Sequence, residues 1–418
     1  MGSVLLFGIT LPAWSSAFQM LEQNVSNMGT SYAGTAALAE DASTNHYNTA
    51  GLTHLNNEQL VVGGVLLLPH TSLNVTKATT TFGAPLSPSS GNIRPSNDAL
   101  LPLLHYAKRI NDRWMFGFSA DVPFGSKINY PNNALPRYSN TRSEMKTVDL
   151  APSLAYEFDH GFSLGAGVDF LYMLVKSDLR IGTGNLDTDG LSESTADNWG
   201  VGYHIGGLYE VDDYTRFGIQ YHSKITVKTK GYTVTQYPVF LPATRKGNKA
   251  DVHLPEYATL SAYHAFDEKW AIMADLAWTH WKQYKQLIIK FDDNTQLINN
   301  ENYKNSYRVS VGGTYQYNEL WRFRFGVMFD ESPVPDANRN LFIPNQNQIV
   351  PAIGAQYRIC KNIALDFGYA HVFFKKDNNL NVPAPTAVNT TQGLQNVQGS
   401  IKNRLDAVGL QLTWDIVP

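Results

Sequence analysis

The sequence predicts an all-β transmembrane barrel of about fourteen antiparallel strands, enclosing an N-terminal plug, or hatch, of short helices and loops. Three observations lead there. The chain beyond residue 58 divides into aromatic-rich alternating segments, and tight polar turns alternate with long loops between them. Residues 17–55 carry too little apolar surface to fold unaided, so they need a container.

The 418 residues carry a net charge of -3, which gives none of the basic stripes of a nucleic-acid-binding surface. Cys360 is the lone cysteine, so no internal disulfide forms. No Cys/His spacing suggests zinc, and neither a metal nor a cofactor is expected. Residues 1–17 combine an apolar run at 4–11, a break at Pro12 and small residues at 15–17. That is a secretory signal, here without a basic start, with cleavage expected near Phe18. No stretch reaches the roughly 18 uninterrupted apolar residues of a spanning helix, so membrane crossing falls to strands. The expected organisation is a signal at 1–17, a hatch at 18–57 and a barrel at 58–418. Within the hatch, Gly29, Gly34 and Gly51 break any long helix.

The expected strands are 58–77, 99–111, 113–130, 142–158, 161–180, 197–211, 214–230, 252–266, 269–291, 302–318, 320–332, 346–359, 362–377 and 400–416. Tight turns fall at Asn111 and Asp112, at 159–161, at Asp212 and Asp213, Asp267 and Glu268, Asn318 and Glu319, and Lys361 and Asn362. Long loops are expected at 78–98, 182–196, 231–251, 333–345 and 378–399. Short turns on one rim and long loops on the other are the layout of an outer-membrane barrel. In the eleventh segment Trp321, Phe323, Phe325, Val327 and Phe329 share the lipid face, opposite Arg322, Arg324 and Asp330. The fifth departs from this rule. Phe162, Leu164, Ala166, Val168, Phe170 and Tyr172 form its lipid face, yet Leu171, Met173, Val175 and Leu179 opposite are apolar too. Either these pack against the plug or they line a path for an apolar ligand.

Two runs carry a resemblance. One is Phe18, Gln19, Gly29, Tyr32, Gly34, residues 39–43 and residues 48–51; the other is Tyr307, Arg308, residues 329–335, Asn338, Arg339 and residues 343–345. In these the chain resembles the long-chain fatty acid outer-membrane transporters, the FadL family. The resemblance implies a barrel in the outer membrane of a Gram-negative bacterium that is no enzyme. It also implies passive passage of a long-chain fatty acid or other hydrophobic small molecule to an opening in the wall, facing outer-membrane lipid. Uptake of monoaromatic hydrocarbons is the alternative, and a monomer is expected. His280, His371 and Ser310 match no motif that would fix a hydrolytic site.

The same resemblance places a lateral opening in the third strand, where Pro123, Phe124 and Gly125 favour a kink because Pro donates nothing to a sheet ladder. It implies ligand contacts from Phe18, Leu171, Met173, Val175 and Leu179. Lys176, Arg180, Lys304 and Arg308 are the candidate cations for a carboxylate. The lower arginines, Arg308, Arg322 and Arg324, are equally suited to pair with Glu40 and Asp41 of the hatch. The hatch motif reads Asn48, Thr49, Ala50 where the family usually has Asn, Pro, Ala, so a rigid φ is lost.

Overall fold

Alternation closes the chain on itself. In the computed structural model, which describes residues 17–416 except 56–57, 81–90, 96–97, 182–188, 238–241, 342–344, 376–378, 383–385 and 389–394, fourteen strands form one antiparallel barrel. Apart from Ala17 the expected signal lies outside the described residues, as do Ile343 and Pro344 of the second run. The strands are β1 (Glu58–Pro69), β2 (Ala99–Arg109), β3 (Trp114–Asp121, continuing as Gly125–Asn129), β4 (Arg142–Glu157), β5 (Phe162–Ile181), β6 (Gly190–Glu210) and β7 (Thr215–His222, then Ile225–Gln236). There follow β8 (Thr244–Leu254, then Tyr257–Ala265), β9 (Trp270–Thr279, then Gln286–Phe291), β10 (Gln296–Asn300, then Ser306–Gln316), β11 (Trp321–Asp330), β12 (Gln348–Cys360), β13 (Ile363–Phe374) and β14 (Arg404–Ile416). Pairing of β1 with β14, from Glu58 opposite Ile416 to Pro69 opposite Leu405, closes the ring and leaves no open edge there.

The lipid face is as the period of two requires. Along β11, Trp321, Phe323, Phe325, Val327 and Phe329 are exposed on the outer wall, while Arg324, Met328 and Asp330 are buried inside. Trp270 packs on Tyr315 at 4.4 Å and Trp321 on Tyr357 at 4.7 Å, an aromatic belt near the short-turn rim.

On the long-loop side the wall is taller than the sequence suggests. The expected loop 231–251 is mostly strand, because β7 and β8 continue as a ladder from Ile225 opposite Leu254 to Thr235 opposite Thr244. Thr229, Thr233 and Thr235 face inward there, while the outer face mixes Lys228 and Lys230 with Tyr232, so hydrophobic alternation marks the strand only weakly. Likewise β6 begins at Gly190 rather than 197, pairing with Ile181. The expected loops 78–98 and 378–399 contribute to a second sheet of Ser72–Thr80, Gly91–Ile93, Asn379–Val382 and Gln395–Lys402. Leu73, Val75, Ile93, Leu380 and Val397 pack under it with Tyr130, Leu135 and Tyr138.

The hatch holds two single-turn helices, α1 (Thr35–Leu38) and α2 (Thr44–Tyr47), far too short to form alone. They persist because the inner wall admits their backbone. A Cβ on Gly218 of β7 would sit 1.8 Å from the Ala36 carbonyl oxygen, and one on Gly326 of β11 would sit 2.0 Å from that of Thr30. Gly218→Ala is therefore expected to loosen the hatch by about 1–3 kcal/mol, the cost of overpacking a close-packed contact. Hydrogen exchange checks it: the Ala37 and Leu38 amides, which donate to Gly34, should lose protection while β11 keeps its own.

Asn48 replaces what a proline would have fixed. Its side chain is fully buried, accepts from the Ala50 amide at 3.1 Å and donates to the Gly207 carbonyl at 2.9 Å. The Thr49 hydroxyl donates to the Asn45 carbonyl at 3.1 Å. The turn thus holds its shape through hydrogen bonds rather than a ring.

Candidate functional site

The third strand breaks where Pro and Gly say it should. Asp121 pairs with Asp149 and Gly125 with Lys146, so β3 takes four steps where β4 takes three. The extra residue bends β3 out of the sheet as a bulge does. On the other side, β2 pairs with β3 only from Leu104 to Arg109. Residues 99–103 of β2 still pair with β1 but have no partner on β3. The wall is unpaired beside Pro123, Phe124 and Gly125.

The hatch satisfies the freed backbone. Gly125 N–H donates to the Phe18 carbonyl and Met20 N–H to the Pro123 carbonyl, both at 2.8 Å. The Gln23 amide accepts from Val122 N–H at 3.0 Å and donates to its carbonyl at 2.8 Å, and Phe124 N–H donates to Thr147 Oγ1 at 3.2 Å. Residues 18–20 are in effect a short strand laid across the kink.

This pins Phe18 in an apolar pocket. Its ring is fully buried, edge-on to Trp281 at 4.7 Å and to Tyr284 at 5.5 Å, with Phe124 at 6.2 Å. Leu171 and Met173 of β5, Ile225 and Val227 of β7, Val252 and Leu254 of β8, Tyr303 and Val334 complete the cluster, and Val175 packs against it. Leu179, further along β5, is partly exposed and lies outside the cluster. The apolar inner face of β5 meets the start of the plug, chiefly through Phe18 with Ala17 beside it.

The candidate cations are not brought together. Lys176 and Arg180 share the residue parity of Phe170 and Tyr172, so they stand on the outward side of β5, with Lys176 opposite Glu144. Lys304 is exposed and lines a polar cavity of about 200 Å³ with Arg339 and Lys375. Lys304 does not continue the inward alternation of Arg308, because Asn302, in the left-handed region at φ 48°, interrupts β10 between Asn300 and Ser306. Among the described residues, Arg308 is the one of these four that reaches the hatch. It lines a cavity of about 30 Å³ with Gln19, Tyr47, His222 and Tyr257, and its Nε is buried with no hydrogen-bond partner among the described residues. Arg322 and Arg324 both pair with Glu40, as the charge pattern suggested, whereas Asp41 accepts from Ser26, Ser43 and Gln411.

Trp281, Tyr284 and Tyr303 were not singled out in the sequence. The first two lie at the one-turn helix Trp281–Gln283 that interrupts what reads as a single segment, 269–291. Beside Tyr303, in the outer part of the chain between the two pieces of β10, Glu301 accepts from Asn340 Nδ2 at 3.0 Å. Burial pushes its carboxyl up to about 7. A carboxyl raised on folding holds its proton longer in the folded state, so packing of this segment is strongest below about pH 4.5 and weakens towards pH 7. Exchange of the Tyr303 amide, which donates to the Tyr284 carbonyl, should accelerate across that window beyond its intrinsic pH dependence, and Glu301→Gln should remove the excess.

Residues 6–415 match the family described as outer membrane protein transport protein (OMPP1/FadL/TodX). The chain belongs to that family. It is accordingly a β-barrel transport protein of the Gram-negative outer membrane and not an enzyme. Among relatives, the long-chain fatty acid transport protein of Escherichia coli K12 is 28% identical over 408 residues, spanning 87% of this chain and 89% of the relative. Outer membrane protein P1 of Haemophilus influenzae Rd is 26% identical over 423 residues, spanning 90% and 91%. In fold, the chain is similar to the crystal structure of a Pseudomonas aeruginosa FadL homologue, with a TM-score of 0.85 at 23% identity over 96% of this chain and 99% of that one. The Pseudomonas putida toluene transporter TodX gives a TM-score of 0.70 at 14% identity over 98% and 100%.

Proposed function

We propose that this family member passes long-chain fatty acids or similar hydrophobic compounds through the outer membrane without energy input. They are captured at the long-loop side, enter the pocket that Phe18 occupies, and leave sideways between β2 and β3. The observation that carries the reading is Phe18: a plug side chain sits in an apolar pocket while its own backbone seals the unpaired stretch of wall. A ligand tail that displaces the ring also pulls residues 18–20 from the kink, so occupancy and opening are coupled. Each methylene moved from water into the pocket contributes about 0.8 kcal/mol, which a wide aqueous pore would not supply. The protein acts as a monomer, since its own fourteen strands close the wall, and residues 1–17 are its secretion signal.

A second reading, uptake of uncharged monoaromatic hydrocarbons, gains from the cations. Of four candidates only Arg308 approaches the hatch, and Lys176, Arg180 and Lys304 stand elsewhere. Displacement of a fluorescent fatty acid from detergent-purified protein separates the two. For the fatty-acid reading, oleate displaces the probe, toluene does not, and Arg308→Ala weakens oleate about tenfold, the worth of a charge-assisted hydrogen bond. Displacement by toluene and a fatty alcohol alone, indifferent to Arg308, would move the assignment to hydrocarbons.

A further inference from the structure

We propose that Asp169, His204 and His222 form a site for one divalent transition-metal ion of the zinc type, set in the barrel wall beneath the hatch. The three side chains come from consecutive strands β5, β6 and β7, and all are buried. Their nearest ligand atoms lie within 4.8 Å of one another.

The protons explain why a cation belongs there. His222 Nε2 is 3.0 Å from the His46 carbonyl oxygen of the hatch, which only accepts, so Nε2 carries the proton. The Gln220 amide lies 3.3 Å from the same nitrogen, and turning it over would aim its otherwise unpartnered Oε1 there as a second acceptor. The His222 Nδ1 lone pair then faces Asp169 Oδ2 at 4.0 Å, and that oxygen is buried with no hydrogen-bond partner among the described residues. Two acceptors facing each other away from water are costly unless something positive lies between them.

His204 completes the set. Its Nε2 is 2.9 Å from Ser153 Oγ, and that hydroxyl reaches the Ala151 carbonyl at 3.4 Å. His204 Nδ1 lies 2.7 Å from Asp169 Oδ1, a hydrogen bond when Nδ1 carries the proton; an N–H to O–H to carbonyl relay from Nε2 through Ser153 is the alternative tautomer, and it frees the Nδ1 lone pair for an ion. Partners that hold the far nitrogen of each histidine are what orient metal ligands. Gly167, opposite His204 on β5, makes the room: a Cβ there would lie 2.3 Å from His204 Nε2 and 2.4 Å from Ser153 Oγ. Ligands about 2.0–2.1 Å from a tetrahedral ion are roughly 3.3 Å apart, between the 2.7 and 4.0 Å found here. Two imidazoles and a carboxylate suit a zinc-like ion with a fourth position open. Such an ion would join three strands and, through His222, hold α2 at His46.

The test uses full-length protein in detergent, stripped with chelator and titrated with zinc by calorimetry, with X-ray absorption on the loaded sample. One ion should bind, with two nitrogen and one or more oxygen neighbours at about 2.0–2.1 Å. His222→Gln and Asp169→Asn should each weaken it at least about tenfold while the barrel still migrates as folded on unheated gels. His371→Gln, whose ring sits by Asp406 on another part of the wall, should change nothing. Equal zinc affinity in His222→Gln, loss in His371→Gln, or no binding up to about 1 mM zinc would overturn the site.

Discussion

Arg324→Met is expected to unseat the hatch, at a cost of about 3–5 kcal/mol, the range for removing one partner of a buried ion pair. Arg324 projects from β11 into the lumen with its side chain 1% exposed. Nη2 donates to Glu40 Oε1 of the hatch and Nη1 to Asp366 Oδ1 of β13, each at 2.6 Å. Met fills the space but strands Asp366, fully buried, with only the Gln356 amide at 3.2 Å. Glu40 keeps Arg322, a weaker tether because that side chain is 30% exposed and its charge is screened by water. Glu40→Gln should be milder, since Arg324 retains Asp366. Arg324→Lys should not rescue, because one ammonium lacks the fork that spans two carboxylates. Conductance in planar bilayers reads the outcome: discrete openings in Arg324→Met and none in the parent. An unchanged current and an unchanged unfolding midpoint would mean that the close glycine contacts, not this ion pair, seat the hatch.

The barrel was legible because its code is local. Strands such as β11 alternate aromatic and polar residues, and turns such as Asp267 and Glu268 punctuate them. The tall outer wall was not, since threonines at 229, 233 and 235 face inward while Lys228 and Lys230 share the outer face with Tyr232, which weakens the contrast on which the period depends. The site was half legible. Leu171, Met173 and Val175 announced themselves as apolar residues on the wrong face of β5, and Pro123 and Gly125 announced the kink. Trp281, Tyr284 and Tyr303 did not, because they enter from breaks in β9 and β10 where alternation carries no information about direction. Lys176 and Arg180 went astray for another reason: family likeness put them in the pocket while their parity with Tyr172 placed them outside. Asp169, His204 and His222 could not be found by spacing, since Asp169 and His204 are 35 residues apart and meet only through the β5–β6 ladder.

Deleting Pro123 is expected to cut transport at least about tenfold, or roughly 1.4 kcal/mol of barrier, without unfolding the barrel. The kink exists because β3 has one residue too many between Asp121 and Gly125. Removing one equalises the two strands while leaving both flanking registers untouched, so no side chain changes face above or below. Removing the proline in particular gives every remaining residue an N–H for the ladder. Val122 and Phe124 can then pair with β4 around Thr147, and β3 can approach residues 99–103 of β2. The wall shuts, and residues 18–20 lose the bent backbone they now cap. Pro123→Ala is the companion variant. It keeps the residue count and hence the kink, and its transport should stay within about twofold of the parent. Fatty-acid uptake by cells whose own transporter has been removed gives the rate, and probe binding to purified protein reports whether the Phe18 pocket survives. Lost uptake with binding retained places the exit at the kink. Uptake at the parental rate through a wall closed at β2 and β3 would mean that hydrophobic compounds leave by another route, and the lateral path would have to be abandoned.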